Sequence, residues 1–115
     1  VAEVWIDPGI GFGKTIEHNL SLLAHLGELV DDAAGAGWAG VAVGTSRKRF
    51  LGLLAAACGS PAGTPPESLT PAPIEDRLAG SLATAATALV AGAGLVRAHD
   101  VAATVQLARL YGPAA

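Results

Sequence analysis

Val1-Ala2-Glu3-Val4-Trp5-Ile6-Asp7-Pro8-Gly9-Ile10-Gly11-Phe12-Gly13-Lys14 carries an apolar run into an acid and then into a loop of alternating glycines ending on a lysine. Val1 to Ile6 reads as a strand of mixed burial, with Glu3 its one charge. Glycine lets a backbone turn sharply and approach a ligand closely, so the loop reads as the wall of a ligand site. Two commoner glycine motifs do not fit. A phosphate-binding loop ending in Gly13-Lys14-Thr15 needs glycine where Pro8 stands. The dinucleotide fingerprint, read from Gly9 and Gly11, needs glycine at Lys14.

Working outward, helical spacing of Leu22, Leu23, Leu26, Leu29 and Val30 predicts a helix from about Glu17 to Ala34 with one apolar face. Gly35 and Gly37 are placed to end it. Val41 to Gly44 is too brief for a helix and reads as a short buried strand. Lys48 to Cys58 is predicted helical, with Phe50, Leu51, Leu54 and Ala55 facing inward. Gly59 to Pro73 holds five of the seven prolines and is expected to be a surface loop. A helix from Ile74 to about Gly92, rich in small residues, precedes a strand from Gly94 to Ala98. Asp100 is placed to cap a last helix, Val101 to Tyr111, which Gly112-Pro113 stops. The order β-α-β-α-α-β-α implies an α/β fold with parallel strands and right-handed crossovers. No internal repeat or linker divides residues 1–115, so one domain is expected.

Composition narrows the function. A net charge of -3 gives no general attraction to nucleic acid or acidic membranes. Cys58 is the only cysteine, which rules out an internal disulfide and gives no sign of secretion. The start lacks the basic-then-apolar pattern of a signal peptide, so a cytoplasmic location is expected. Leu78 to Val96 carries no charge and is almost long enough to cross a bilayer. Small residues dominate it, however, and Ala91-Gly92-Ala93-Gly94 splits it into a helix and a strand.

Three segments follow apolar runs and carry the chemistry: the Asp7 loop, Gly44-Thr45-Ser46-Arg47-Lys48, and Arg97-Ala98-His99-Asp100-Val101. A carboxylate at Asp7 suits the paired N–H donors of a guanidine-like ring edge, or else caps the turn before Gly9. Arg47-Lys48-Arg49 stands at a helix start, where cations are disfavoured; a bound ligand or plain solvation would explain the run. Arg97 and His99, two apart on a strand end, point to one side, as an anion site requires. A buried structural histidine is the plainer alternative. Lys14 serves either a ligand or a salt bridge within the loop. Thr15 and Asn19 are expected to fix the loop to the helix. His18 and His25 lack partner carboxylates at ligand spacing, and there is no zinc signature. Ser46 has no adjacent histidine in the sequence and Cys58 sits at a loop edge, so no covalent nucleophile is expected.

In this order the three motifs resemble the dihydropteroate synthase family, the folate-pathway enzymes that sulfonamides target. The likeness extends to Glu17-His18-Asn19 and Arg77-Leu78-Ala79-Gly80-Ser81, and so over nearly the whole chain. The family usually has valine where Ala98 stands, a residue that points away from its neighbours on a strand. The resemblance implies a (β/α)8 barrel, which typically needs about 250 residues. The 115 residues here are therefore expected to be the C-terminal three β/α units, marginal and inactive alone. It further implies that Asp7, Gly44 and Lys48 bind a pterin, Phe12 and Lys48 border an aminobenzoate, and Arg97 and His99 hold a diphosphate. The implied reaction joins 6-hydroxymethyl-7,8-dihydropterin diphosphate to 4-aminobenzoate. Mg²⁺ is expected on the diphosphate and on residues outside this chain, with no metal ligand within it, and the full-length protein is expected to be a homodimer. Two alternatives are a pterin-binding methyltransferase acting on methyltetrahydrofolate, which has no need for the Arg97–His99 pair, and a non-catalytic pterin- or phosphate-binding remnant.

Overall fold

The computed structural model describes residues 3–111. Strands β1 (Trp5–Ile6), β2 (Gly40–Gly44) and β3 (Leu95–Arg97) form a parallel sheet in the order β1-β2-β3. Helices α1 (Ile16–Ala24) and α2 (Leu26–Gly35) lead from β1 to β2. Helices α3 (Arg49–Cys58) and α4 (Leu78–Ala91) lead from β2 to β3, and α5 (Val101–Tyr111) follows. The expected α/β architecture is present.

Register assigns each strand residue to a face, because directly paired and alternate residues share one. Ile6 pairs with Val41 and Val43 with Val96. These four face the helices: Val41 and Val43 are buried, and Ile6 and Val96 pack against the core. Leu23, Leu26, Ala33, Phe50, Leu51, Leu53 and Ala88 close that core from the helix side. On the other face Trp5 pairs with Gly40, Ala42 with Leu95 and Gly44 with Arg97. Here Trp5 and Leu95 stay 40% and 43% exposed, so one face of the sheet is only partly covered. Both register and direction carry Asp7, Thr45 and Ala98 to the same end of the sheet.

Several element limits differ from the sequence reading. The first strand is confined to Trp5–Ile6, although Ala39 N–H donates to Val4 O at 2.8 Å and extends the pairing by one bond. Val1 and Ala2 lie outside the described residues, as do Gly112 and Pro113. The single helix expected from Glu17 to Ala34 is two helices broken at His25, where ψ opens to 14°. The His25 ring pairs through Nδ1 with Ser21 O at 2.8 Å, in addition to the His25 N–H that bonds the same carbonyl at 3.0 Å. Neither Gly nor Pro marks the break. Gly35 lies inside α2, and the turn that ends it uses Gly37, with φ +79°.

Lys48 precedes α3 rather than opening it; Leu53 is buried as well, Leu54 packs half-buried against the core as expected, and Ala55 is half-buried. Ile74–Asp76 is a separate 3-10 turn, so α4 begins only at Leu78. The last strand is Leu95–Arg97 rather than Gly94 to Ala98. Asp100 does stand before α5, but its carboxylate pairs with Arg47.

Candidate functional site

The loop after β1 is held by its own polar groups. Asp7 Oδ1 accepts the Gly9 N–H at 2.8 Å, and the Phe12 N–H bonds Gly9 O at 3.1 Å. Asn19, 1% exposed, accepts the Gly11 N–H at 2.8 Å through Oδ1. Thr15 accepts the His18 N–H at 3.2 Å and so caps α1. The expectation that Thr15 and Asn19 tie loop to helix holds. Lys14 makes no salt bridge among the described residues; its ammonium donates to Gly9 O at 2.8 Å and Phe12 O at 3.0 Å. Gly11 has φ +88°, and a Cβ there would stand 2.6 Å from Lys48 Cδ. Only glycine lets the loop and Lys48 approach so closely.

The loop after β2 is held from α4. Arg47, not a glycine, has φ +58°, a strained backbone that needs support. Its N–H donates to Ser81 Oγ at 2.9 Å, and its carbonyl accepts Arg77 Nη1 at 3.0 Å. Its guanidinium meets Asp100 at 2.9 Å. Two residues earlier, Thr45 shares a 2.6 Å hydrogen bond with Thr84, both side chains buried. The small polar residues of α4 thus aim this loop as well as pack. The one signal for this in the sequence is the Arg77-to-Ser81 motif.

Four of the residues singled out from the sequence converge where the strands end. Arg97 Nη1 donates to Asp7 Oδ2 at 2.6 Å, so the acid and the anion-binding candidate are paired with each other. Asp7 therefore both caps its turn and pairs with Arg97. Gly44 makes this possible, because a Cβ there would lie 2.5 Å from Arg97 Nη2. The space expected to admit a pterin holds the Arg97 side chain in this structure. Lys48 donates to Ile10 O and lies 4.2 Å from the centre of the Phe12 ring. A cavity of ≈ 240 Å³ is lined by Gly44, Ser46, Lys48, Arg97, Ala98 and His99. A second, of ≈ 300 Å³, is lined in part by Gly11, Lys14, Lys48, Arg49 and Phe50. Lys48 is the wall between them.

Ser46 has a neighbour in space that the sequence did not show. Ser46, without a histidine nearby in sequence, lies 2.9 Å from His99 Nδ1 and accepts the His99 backbone N–H at 3.0 Å. No carboxylate pairs with His99 among the described residues, so the orienting third group of a nucleophilic triad is missing. The pair orients a ring rather than activating a nucleophile.

Charge sets the protonation. Burial raises the Asp7 carboxyl, but the Gly9 N–H and Arg97, with help from Lys48, outweigh it and hold Asp7 below the usual carboxylate value. Burial is the main cause that lowers Lys48; the Arg97 and Lys14 charges add to it, and Asp7 opposes. Lys48 is thus a partly desolvated cation whose present partners are a carbonyl and an aromatic face. Lys48→Ala is expected to loosen Gly9 to Gly13, speeding amide hydrogen exchange there by about 5- to 50-fold, the worth of one charged hydrogen bond and a cation–π contact. Unchanged exchange would show that Lys14 and Asn19 suffice.

The fold is a parallel α/β unit whose charged side chains Asp7, Lys48 and Arg97 gather where strands give way to loops. The profile of the family described as "Pterin binding enzyme" matches residues 1–99, and the chain belongs to that family. It is 44% identical over 108 residues to the dihydropteroate synthase of Mycobacterium leprae, covering 93% of this chain and 33% of that protein. Among solved structures, it resembles a Xanthomonas albilineans dihydropteroate synthase bearing 4-aminobenzoic acid, at 40% identity and TM-score 0.68, with 93% of this chain and 32% of the other covered. The Vibrio fischeri enzyme superposes with TM-score 0.73 at 31% identity, over 93% and 32% of the two chains. The chain spans a third or less of the length of the curated relatives it matches. Its three β/α units match about a third of these barrels.

Proposed function

We propose that these residues, set in a full-length barrel, serve a dihydropteroate synthase. The amine of 4-aminobenzoate attacks the methylene carbon of 6-hydroxymethyl-7,8-dihydropterin diphosphate. The bond to the diphosphate oxygen breaks, diphosphate leaves, and the nitrogen loses a proton to solvent. The observation that carries this reading is the convergence of three strand ends: Asp7 pairs with Arg97, and Arg97 lines one cleft with Lys48 and His99.

Asp7 accepts two N–H bonds from the pterin edge, while Gly44 and Lys48 border the ring, with Lys48 donating to its carbonyl side. Arg97 and His99 take the charge that develops on the diphosphate. Phe12 and Lys48 border 4-aminobenzoate, and the second cavity against Lys48 gives it room. Rate enhancement then comes from alignment and charge stabilisation, without a covalent intermediate. Among the described residues no three His, Cys, Asp or Glu side chains gather as a metal would need. The proposed Mg²⁺ rides on the diphosphate and on residues beyond this chain.

The substrates are small molecules rather than nucleic acid or membrane, and the proposed setting is a cytoplasmic homodimer. No helix among the described residues is long and apolar enough to cross a membrane. The methyltransferase alternative leaves the Arg97–His99 arrangement without a task. Calorimetric titration with the dihydropterin diphosphate tests the proposal, with one-to-one binding expected. A full-length barrel that circular dichroism shows to be folded, yet that takes up no ligand, would sink the reading of these three strand ends as a pterin diphosphate site.

A further inference from the structure

We infer that Ser46 is a positioning residue for His99: it holds the imidazole as the Nε2–H tautomer, so that the ring offers the cleft a hydrogen-bond donor even when neutral. The inference rests on the proposal that Arg97 and His99 face a diphosphate, and adds to it the residue that makes His99 fit for an anion.

The argument is one of proton counting. A serine hydroxyl has one proton to give and two lone pairs to share. Ser46 Oγ accepts the His99 backbone N–H at 3.0 Å, and His99 Nδ1 lies 2.9 Å away. These are the hydrogen bonds Ser46 Oγ makes among the described residues, so Nδ1 is the partner available to the hydroxyl proton. Donation to Nδ1 leaves a neutral ring with its own proton on Nε2. The opposite tautomer would have Ser46 Oγ accept twice, turn its hydroxyl proton out to solvent, and put a lone pair on Nε2, which repels an anion.

When His99 is protonated, the hydroxyl turns and accepts from Nδ1–H, so the ring stays in place in both charge states. Both anchors are close to rigid elements. Ser46 follows β2 directly after buried Thr45, whose hydroxyl is tied to Thr84 on α4, and His99 lies two residues beyond Arg97. Ser46 and His99 line the same ≈ 240 Å³ cavity as Lys48 and Arg97.

The test separates position from mere structure. Long-range proton–nitrogen NMR of the ¹⁵N-labelled chain, without ligand, reads the tautomer directly. The wild type is expected to show Nε2–H at about pH 8, well above the ordinary histidine value. Ser46→Ala is expected to shift the ring toward a tautomer mixture, and Ser46→Thr, which keeps the hydroxyl, to restore it. Inorganic pyrophosphate is the ligand probe. Ser46→Ala should weaken its binding about tenfold at pH 8, the worth of one hydrogen bond to a charged group, and about twofold or less at an acidic pH at which the same NMR shows the ring charged and donating from both nitrogens.

An unchanged tautomer, or an equal loss at both pH values, would overturn the positioning role. Failure of the wild type to bind pyrophosphate would overturn the diphosphate reading, and with it the ligand half of this inference. Wild-type binding with a flat pH difference in Ser46→Ala would overturn the Ser46 role alone.

Discussion

Asp7→Asn is expected to lower affinity for the dihydropterin diphosphate by about 10- to 100-fold, since hydrogen bonds to a charged acceptor are worth about 1.5–3 kcal/mol. Pyrophosphate should respond the other way. Asp7 Oδ2 holds Arg97 Nη1 at 2.6 Å, so the neutral amide releases a guanidinium that the carboxylate had engaged. Affinity for pyrophosphate should stay level or rise a few-fold, roughly the modest worth of a half-exposed ion pair. Parallel titrations of both ligands into both proteins read this opposition. Equal losses for the two would mean that the substitution had disordered the loop, and an unchanged pterin affinity would remove Asp7 from pterin recognition.

The same substitution carries a pH signature. Asp7 is depressed in the folded state and sits at about 3.9 when unfolded. Its charged form therefore contributes stability that is fully present above about pH 3.9 and is lost as pH falls through the lower folded value. Acid unfolding of the wild type should fall away more steeply below pH 4 than that of Asp7→Asn. Parallel acid limbs would mean that the Gly9 and Arg97 bonds add nothing to folding.

The second large effect is on the core. Leu26 is 1% exposed and opens α2 directly after the His25 break. Leu26→Ala should cost about 2–5 kcal/mol through lost burial and the cavity left behind. Domains typically have about 5–15 kcal/mol in total, so this is a large share. A sheet with one half-exposed face has little to spare. Urea titration followed by circular dichroism should show a midpoint far below wild type or no folded baseline. Leu20→Ala, at a residue 42% exposed on α1, should move stability by less than about 0.5 kcal/mol. Equal effects at the two positions would mean that the break at His25 is not what delivers Leu26 to the core.

Much of the fold was legible because its cues are local. Val41 to Gly44 is an apolar run too short for a helix, and it is the buried central strand. The α5 limits, Val101–Tyr111, match the expected helix. The helix break at His25 was not legible, since a ring bond to Ser21 O leaves no mark in hydrophobic spacing. The late start of α4 was hidden for a related reason. Ile74 to Arg77 has ordinary helix formers, yet Arg77 is turned to bond Ala72 O and Arg47 O, partners that lie outside any helix of its own.

The site divides in the same way. Local spacing alone determined which residues could serve: an acid before a glycine loop, a cation after a buried strand, and an arginine and histidine sharing one side of a strand end. Those choices depend on alternation along a strand and on glycine's conformational range, both properties of a few consecutive residues. Only the tertiary structure decided who meets whom. It paired Asp7 with Arg97, 90 residues apart, and Ser46 with His99, 53 apart. It also set Arg47 between Ser81, Arg77 and Asp100. Such pairings follow from parallel register, which is fixed by burying Ile6, Val41, Val43 and Val96 together against the helices. A one-residue slip in a strand would turn its core residues outward and carry its site residues away from the cleft.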